Sequence, residues 1–405
     1  GGQGRVKRVA VAVATGVSAV VVVGGALAMV DSRYYGHLVA AGWNQVKYNV
    51  VSGHSDLYGT EPWYFYIKNG LINGNIIMVL ALLSLPAWIT YYVVLRLTTS
   101  TGTAGPTVDR LFASHRLLLY RILPFFVSLG IFSLQPHKEE RFLAIAYPHM
   151  CFNAAVCLSL LHPLRAWMQA KTKQRWAAQS DLFNMGILAV AAAIGLLRMG
   201  ALHQYYGGVA SVFLLLPKLT ASGSAAGNML LPIGMTIKTL WGDRKVLKEE
   251  AMGGDAQKVV CMGKDWYRFP SSYWLPAGYR LEFIESQFTG HLPGSFVPVS
   301  QTDGQSVVDS TRARRADFND LNRWEPSHVV SESQCDYMVD TEFPSAAGGE
   351  EVPFARREKE WRKRGCERIL DAQGSGALGR VLYLPPQVNG RWQRWGEICV
   401  FERLE

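Results

Sequence analysis

The chain has 405 residues, of which 49% are hydrophobic and 18% are charged, and its formal net charge is +9 at pH 7. Residues 1–240 contain 19 Lys and Arg against 7 Asp and Glu, whereas residues 241–405 contain 22 against 25. The basic excess therefore lies in the apolar part of the chain. That distribution is typical of the cytoplasmic loops of membrane proteins and argues against nucleic-acid binding.

Apolar segments dominate the first 218 residues, which are predicted to form the transmembrane region. Five of them approach the roughly 20 residues that a membrane-spanning helix needs. They cover residues 9–30, 71–95, 117–134, 142–161 and 182–200. The first is too long for a signal peptide and has no clear cleavage site after it. A sixth segment, 201–218, contains the polar stretch HQYYGG, which favours an interfacial or re-entrant position over a further span.

Loop charges predict the orientation of these spans. Residues 162–175 carry four basic residues and no acidic one, and the loop 96–116 is also basic. Both loops are therefore expected in the cytoplasm. Alternation of five spans then places residues 31–70, residues 135–141 and the C-terminal part of the chain on the opposite side of the membrane. If 201–218 also crossed, the C-terminal part would instead be cytoplasmic.

The rest of the chain has the composition of a soluble domain. Residues 219–258 are predicted to be a linker, and residues 259–405 an α+β domain with short strands separated by Gly, Pro and Asp. The strand-like runs are KVVCMG, YRLEFIES, CDYMVDTEF, RVLYLPP and GEICVFERL. RREKEWRKRGCERIL (356–370) is predicted to form a basic helix, and RARRADFND (312–320) a charged loop.

Six cysteines are present. Cys151 and Cys157 lie in a predicted span, where they are expected to pack against neighbouring helices. The other four lie in the C-terminal domain with no zinc-binding spacing, and one or two disulfides are expected there in an oxidising compartment, with three full pairings open. These four are Cys261, Cys335, Cys366 and Cys399.

Soluble-enzyme motifs are missing from the sequence. It contains no phosphate-binding loop, no dinucleotide fingerprint after a strand and no nucleophile elbow. His137 and Glu140 have the i,i+3 spacing that metal sites use, but no third ligand accompanies them. No metal site is therefore predicted.

The first non-cytoplasmic loop contains two candidate catalytic carboxylates. Asp31 stands at the exit of an apolar span, where an acid is costly unless it is solvated or paired. It is either a functional residue or an interfacial acid hydrated near the headgroups. Glu61 directly precedes the aromatic run Trp63–Tyr66 and could act as a base. That run is either an aromatic belt at the membrane surface or a platform for a sugar or lipid tail.

The second non-cytoplasmic loop contains HKEERFL, which begins at His137. Glu139 and Glu140 suit the first turn of the following helix, because the helix dipole favours negative charge there. The dipole does not explain why basic residues accompany them. Lys138 and Arg141 would suit a phosphate on a lipid carrier.

Three motifs together, HKEERFL, DSRYYG (31–36) and YGTEPWYFY (58–66), resemble the dolichyl-phosphate-mannose-dependent mannosyltransferases of glycosyltransferase family 22. YGTEPW is similar to the α-1,2 branch of that family, which extends the lipid-linked N-glycan precursor. Stretches of the C-terminal domain resemble the luminal domain of the same branch. They are CMGKDWYRFPSSYWLP, LEFIESQFTGHLP, EPSHVVSESQCDYMVD and ILDAQGSGALGRVLYLP.

The resemblance implies a multi-pass α-helical membrane protein of the GT-C type with a C-terminal α+β domain in the lumen of the endoplasmic reticulum. It implies inverting transfer of mannose from dolichyl-phosphate-mannose to a dolichyl-pyrophosphate-linked high-mannose oligosaccharide. Inversion requires a carboxylate base opposite the leaving phosphate. Neither a cofactor nor an obligatory metal is expected. The partners expected are the dolichol-linked donor and acceptor and the membrane lipids.

The family's pattern also implies a catalytic Asp in a first luminal loop, which would lie N-terminal to Gly1. On that expectation the chain alone is inactive, and Asp31 and Glu61 are the alternative bases. The resemblance implies that the remaining site residues bind substrate, namely His137, Lys138, Glu139, Glu140, Arg141, Tyr34, Tyr35 and Trp63. Two alternatives stay open: another family 22 transferase, for a glycolipid anchor or an α-1,6 step, and a non-catalytic membrane scaffold.

Overall fold

The computed structural model describes residues 2–51, 54–99, 106–172, 180–216, 258–275, 278–294, 312, 317–346 and 353–404. The helices are α1 (Gly2–Tyr35), α2 (Ala41–Val46), α3 (Phe65–Asn73), α4 (Asn75–Thr99), α5 (Pro106–Leu134), α6 (Tyr147–Thr172), α7 (Ser180–Tyr206), α8 (Gly208–Phe213), α9 (Ala377–Val381) and α10 (Pro386–Asn389). The strands are β1 (Lys258–Met262), β2 (Tyr279–Phe283), β3 (Tyr337–Glu342), β4 (Trp361–Leu370) and β5 (Trp395–Arg403).

The chain divides into two compact units. The first unit comprises Gly1–Thr60, Gln135–His137 and Thr289–His328. The second unit comprises Glu61–Leu134, Lys138–Phe288 and Val329–Glu405.

Within the described ranges, five helical segments are long and apolar enough to cross a membrane. They are Val6–Tyr35, Asn75–Leu97, Ala113–Leu134, Glu140–Leu161 and Leu182–Phe213. The chain is therefore a multi-pass membrane protein with a C-terminal sheet domain. Two of the segments differ locally from the sequence prediction. The helix predicted from residue 71 is interrupted at Gly74, and the segment after Glu139 begins with a 3-10 helix over Glu140–Ala146 before α6 starts.

In the second unit, helices α4 to α6 pack around a shared apolar core. One cluster in this core contains Tyr66, Met78, Ala81, Phe125, Leu129, Leu143, Ala146 and Met150, all of them buried. The break between α3 and α4 is tight, because a Cβ on Gly74 would lie 2.8 Å from the carbonyl oxygen of Gly70. Glycine therefore permits the tight break between α3 and α4 at this position.

In the first unit, the segment between β2 and β3 folds onto the loop that follows α1. The Arg312 guanidinium donates to the carbonyl oxygen of Arg33 at 2.9 and 3.1 Å. The Tyr48 hydroxyl donates to the Asp320 carbonyl oxygen at 2.5 Å. The Asn322 side-chain amide donates to the Leu57 carbonyl oxygen at 2.9 Å. Arg312, Asp320 and Asn322 therefore hold the loop after α1 in place.

The C-terminal domain contains a five-stranded mixed sheet in the order β2-β1-β3-β5-β4. β1 runs parallel to β2 and β3, whereas β5 is antiparallel to β3 and β4. Two disulfides stabilise the domain, Cys261–Cys335 and Cys366–Cys399. The second joins directly paired residues of β4 and β5. Of the three pairings that the sequence left open, the structure contains this one.

The helix predicted over 356–370 is wrong, because Trp361–Leu370 forms strand β4. β4 lies at the edge of the sheet, so its Lys and Arg side chains can reach water, and charged residues are common on such edges. The strand predicted for RVLYLPP is also wrong. Those residues contain the end of α9 and an irregular segment whose Tyr383 amide donates to the Leu197 carbonyl oxygen of α7.

Residues 201–216 do not form a separate span. α7 continues to Tyr206, and α8 then packs against strands β4 and β5 with Val212 and Phe213 fully buried. A Cβ on Gly208 would lie 2.4 Å from the Arg368 carbonyl oxygen, so glycine permits this close approach to β4. The linker predicted over 219–258 lies outside the described residues, except Lys258 at the start of β1. Of RARRADFND, only residues 312 and 317–320 are described.

Candidate functional site

The predicted site residues fall in both units. Asp31, Tyr34, Tyr35 and His137 belong to the first unit. Glu61, Trp63 and Lys138–Arg141 belong to the second. Each group has a geometry of its own.

The C-terminal end of α1 carries Asp31 and the two predicted tyrosines. The loop after the helix turns back onto it, because the Val39 amide donates to the Ser32 hydroxyl at 2.9 Å. The Ala41 amide lies 3.4 Å from the Asp31 carboxylate and donates to it. Tyr34 and Tyr35 are 45% and 55% exposed. This end of α1 thus offers a partly engaged carboxylate and two accessible aromatic rings.

His137 fixes the turn that precedes the aromatic run. Its Nδ1 lies 2.9 Å from the carbonyl oxygen of Gly59, and its ring centroid is 6.0 Å from that of Tyr58. Because a carbonyl oxygen can only accept, His137 donates from Nδ1. Gly59 has a φ of 95°, a left-handed conformation that favours glycine. His137 therefore holds the start of YGTEPW.

Lys138 likewise holds the backbone of the YGTEPW loop, at Glu61 in the second unit. It is only 5% exposed, and its ammonium donates to the carbonyl oxygen of Glu61 at 2.6 Å. A buried ammonium in such a contact forms a strong, charge-assisted hydrogen bond. The structure therefore shows Lys138 anchoring the backbone of Glu61. Its predicted contact with a lipid phosphate stays a prediction.

The side chain of Glu61 is exposed. Among the described residues its carboxylate has no hydrogen bond or ion pair. Trp63, two residues later, is 68% exposed and packs edge-to-face on Tyr64 at 5.7 Å. By contrast, Tyr66 is buried in the helical core, and this burial raises the pKa of its hydroxyl. In the aromatic run, Trp63 is therefore accessible next to Glu61, whereas Tyr66 is part of the core.

Glu139 and Arg141 form an ion pair with one another. The Arg141 Nε and Nη2 lie 2.5 and 2.8 Å from the two Glu139 carboxylate oxygens. The Arg141 side chain is 75% exposed, so water weakens this pair. The pair orients the guanidinium and leaves it accessible to a ligand. The predicted role of Glu139 in substrate binding stays a prediction.

Glu140 belongs to a network that the sequence did not predict. The Asn73 amide donates to both Glu140 carboxylate oxygens at 2.8 Å, and the Tyr147 hydroxyl donates to one of them at 3.3 Å. The Asn73 side-chain oxygen Oδ1 in turn accepts from Arg198 Nε at 2.9 Å. Arg198 is not among the predicted site residues; a charged residue inside the predicted span 182–200 is the signal that could have identified it.

One group of three metal-ligand side chains lies close together in the described ranges, namely Cys366, Glu397 and Cys399. The two sulfurs are joined in a disulfide, so they are not the thiolates that bind metals. The residues of HKEERFL are not among this group, and the predicted absence of a metal stays a prediction.

Comparison with known proteins gives a consistent assignment. The model of the Alg9-like mannosyltransferase family matches residues 2–276. The chain is 34% identical over 88% of its length to the mouse alpha-1,2-mannosyltransferase ALG9, and 29% identical over 92% to the protein of that name from Schizosaccharomyces pombe. It matches 52% and 57% of those two proteins, so it spans about half of their length.

A zebrafish GPI alpha-1,2-mannosyltransferase 3 is 28% identical over 36% of the chain and 22% of its own length. No solved structure matches the chain.

Proposed function

The chain belongs to the Alg9-like mannosyltransferase family, and from this we propose that it transfers mannose in α-1,2 linkage between lipid-linked sugars. The proposed donor is dolichyl-phosphate-mannose, and the proposed acceptor is a dolichyl-pyrophosphate-linked high-mannose oligosaccharide. The relatives named ALG9 support the α-1,2 linkage, since they match about nine-tenths of the chain. The glycolipid-anchor relative matches about a third of it, which disfavours that alternative.

Of the two alternative bases within this chain, Glu61 is the one we propose, and the observation that favours it is the state of its carboxylate. Its carboxylate is exposed and unengaged among the described residues, while Lys138 fixes its backbone. A general base needs this combination of a defined position and a free lone pair. Asp31 is the weaker candidate because its carboxylate already accepts the Ala41 amide.

In the proposed reaction, Glu61 removes the proton from an acceptor hydroxyl, and the resulting oxygen attacks the anomeric carbon of the donor mannose. The bond from that carbon to the phosphate oxygen breaks, and dolichyl phosphate leaves with the electron pair. Attack opposite the leaving group inverts the anomeric configuration. The phosphate is already an anion, so it leaves without a strong general acid. We propose that no metal or cofactor takes part.

We assign the neighbouring side chains to substrate binding. Trp63 offers an exposed ring face of the kind that stacks on sugars or isoprenoid chains. Arg141, oriented by Glu139, offers an accessible guanidinium for the leaving phosphate. Tyr34 and Tyr35 at the end of α1 would contact the lipid or the sugar. We propose that His137 and Lys138 bind substrate as well as positioning the YGTEPW loop.

We propose the endoplasmic reticulum membrane as the location, with the C-terminal domain in the lumen. Two disulfides in that domain support an oxidising compartment. The basic loop 162–175, with four basic residues and no acidic one, supports a cytoplasmic position for the opposite ends of the spans. Both loops that carry the candidate site then face the lumen.

The test is genetic complementation. The full gene product is expressed in yeast cells that lack their own α-1,2-mannosyltransferase of this family, and lipid-linked oligosaccharides are separated by size. Elongation of the accumulated intermediate is expected with the unmodified protein. If the protein is present in the membrane at normal level and the intermediate stays unchanged, the assignment is wrong. Elongation of a glycolipid-anchor precursor instead would identify the glycolipid alternative.

A further inference from the structure

Arg198 lies in an unusual place for an arginine. It is on α7, within the apolar segment Leu182–Phe213 that is long enough to cross a membrane. At 1.5 Å per residue, it stands about 24 Å along that helix from Leu182, close to the roughly 30 Å limit of a bilayer core. An arginine within an apolar spanning segment is rare and usually marks a site that requires its charge.

Contacts with the C-terminal domain place Arg198 where the helical bundle meets the soluble part of the second unit. Its Nη1 donates to the carbonyl oxygens of Arg380 and Val381 at 3.3 and 3.2 Å. The same face of α7 makes two further contacts with this segment, because the Tyr205 hydroxyl donates to the Leu382 carbonyl oxygen at 3.0 Å and the Tyr383 amide donates to the Leu197 carbonyl oxygen at 2.9 Å. Arg198 therefore lies near the boundary between lipid and water.

The charge of Arg198 is not neutralised by contact. Its hydrogen-bond acceptors are two peptide carbonyls and the amide oxygen of Asn73, all of them neutral. Among the described residues no carboxylate lies within ion-pair distance of it. Glu140 is the nearest acid in the network, but the Asn73 amide stands between the two and donates to both of its oxygens. Asn73 thus keeps the guanidinium and the carboxylate apart.

Two N–H groups of the guanidinium also lack an acceptor. Nε and Nη1 are engaged, whereas Nη2 has no hydrogen bond among the described residues. Arg198 is half-buried, so it is partly accessible. A guanidinium held rigidly by neutral groups, with a free N–H pair at a membrane boundary, has the requirements of an anion-binding group.

We propose that Arg198 binds the phosphate of a lipid, a role beyond those assigned to HKEERFL. The inference rests on the proposed function for the identity of that lipid, which is a phosphate- or pyrophosphate-linked isoprenoid sugar carrier. A phosphate is a better candidate ligand than a carboxylate because lipid phosphates concentrate at the boundary between lipid and water. Asn73 and Glu140 connect this site to HKEERFL.

The experiment measures lipid binding by the purified chain in phosphatidylcholine nanodiscs. The probes are citronellyl phosphate, citronellyl pyrophosphate and phosphatidylglycerol. Arg198→Gln removes the charge and should weaken binding of the phosphate probes by about tenfold or more, the loss expected for one charge-assisted contact. Arg198→Lys keeps the charge without the planar fork and should give an intermediate affinity.

The matched control is Tyr205→Phe. It removes a hydrogen bond between α7 and the same segment of the C-terminal domain but leaves the charge unchanged. Its affinity should equal that of the unmodified chain. An equal loss in Tyr205→Phe and Arg198→Gln would show that Arg198 only docks the C-terminal domain, and the proposal would be overturned. Unchanged affinity in both Arg198 variants would overturn it as well.

The probes distinguish the sources of phosphate. A loss confined to citronellyl phosphate or pyrophosphate identifies the donor or acceptor carrier, and an equal loss for phosphatidylglycerol identifies a general headgroup site. If Arg198→Gln does not fold, as judged by gel filtration, Arg198→Lys decides the question alone. Because binding is measured without mannose transfer, failure of this inference is separate from failure in the complementation test.

Discussion

The disulfide Cys261–Cys335 should contribute more to stability than Cys366–Cys399. The first closes a loop of 74 residues and the second a loop of 33. Restricting the unfolded chain in this way is expected to stabilise the folded domain by about 4.4 kcal/mol for the longer loop and about 3.7 kcal/mol for the shorter one. Burial also favours a larger contribution from the first disulfide, because Cys261 and Cys335 are both buried whereas Cys366 is only half-buried.

The assay is pulse proteolysis in urea on the chain in detergent, which reports the free energy of unfolding of the C-terminal domain. Paired Cys→Ala variants remove each disulfide, since alanine avoids burying a new hydroxyl. The free cysteine Cys151, exposed on α6, is changed to Ala as the control and should leave stability unchanged. A larger loss for the 366–399 pair, or no loss for either pair, would refute the reasoning from loop length.

Three further predictions concern the site and the sheet domain. Glu61→Gln should reduce mannose transfer at least 100-fold with unchanged protein level, as expected for loss of a general base. Transfer is measured with radiolabelled donor. Near-normal transfer would show that Glu61 is not the base. Trp63→Ala should raise the KM for the lipid-linked substrates about tenfold and leave kcat nearly unchanged, whereas a change in kcat alone would contradict a binding platform.

Asp371→Asn should destabilise the C-terminal domain at pH 7. Burial alone would raise the pKa of Asp371, but hydrogen bonds from Ser345, Gly374 and Gln373 lower it overall. A lowered pKa stabilises the fold above the unfolded value of about 3.9, and this stabilisation is lost as the pH falls through the folded pKa. The variant's loss in free energy of unfolding, measured by urea unfolding, should therefore be constant from pH 7 to 5 and shrink below pH 4. A loss that grows as the pH falls would show that folding raises the pKa of Asp371 instead of lowering it.

Local patterns were sufficient for much of this fold. Long apolar runs predict the spanning helices because a bilayer demands continuous hydrophobicity, and β1, β2, β3 and β5 follow from short apolar runs between turn residues. The strand β4 was mistaken for a helix because its charged residues reflect its place at the sheet edge. Which strand forms an edge depends on pairing across the domain, and no local window contains that information.

The candidate site was likewise only partly predictable from the sequence. HKEERFL and YGTEPW were identified as site motifs from sequence, and the structure shows that Lys138 ties one to the backbone of the other. The direction of the Lys138 side chain, towards a carbonyl oxygen rather than open solvent, could not be predicted. The contacts from Asn73 to Glu140 and to Arg198 span 67 and 125 residues, so no spacing rule indicates them.

The contact between Tyr48 and Asp320 has a consequence for biogenesis. The two residues are 272 positions apart, yet both belong to the first unit. At about 5–20 residues per second, ribosomes need roughly 15–55 s to make the intervening chain. During that interval the loop after α1 has already emerged but lacks the segment that holds it. Completion of this unit must therefore wait until the helices between the two residues have been made, and the nascent loop stays open to chaperones and proteases until then.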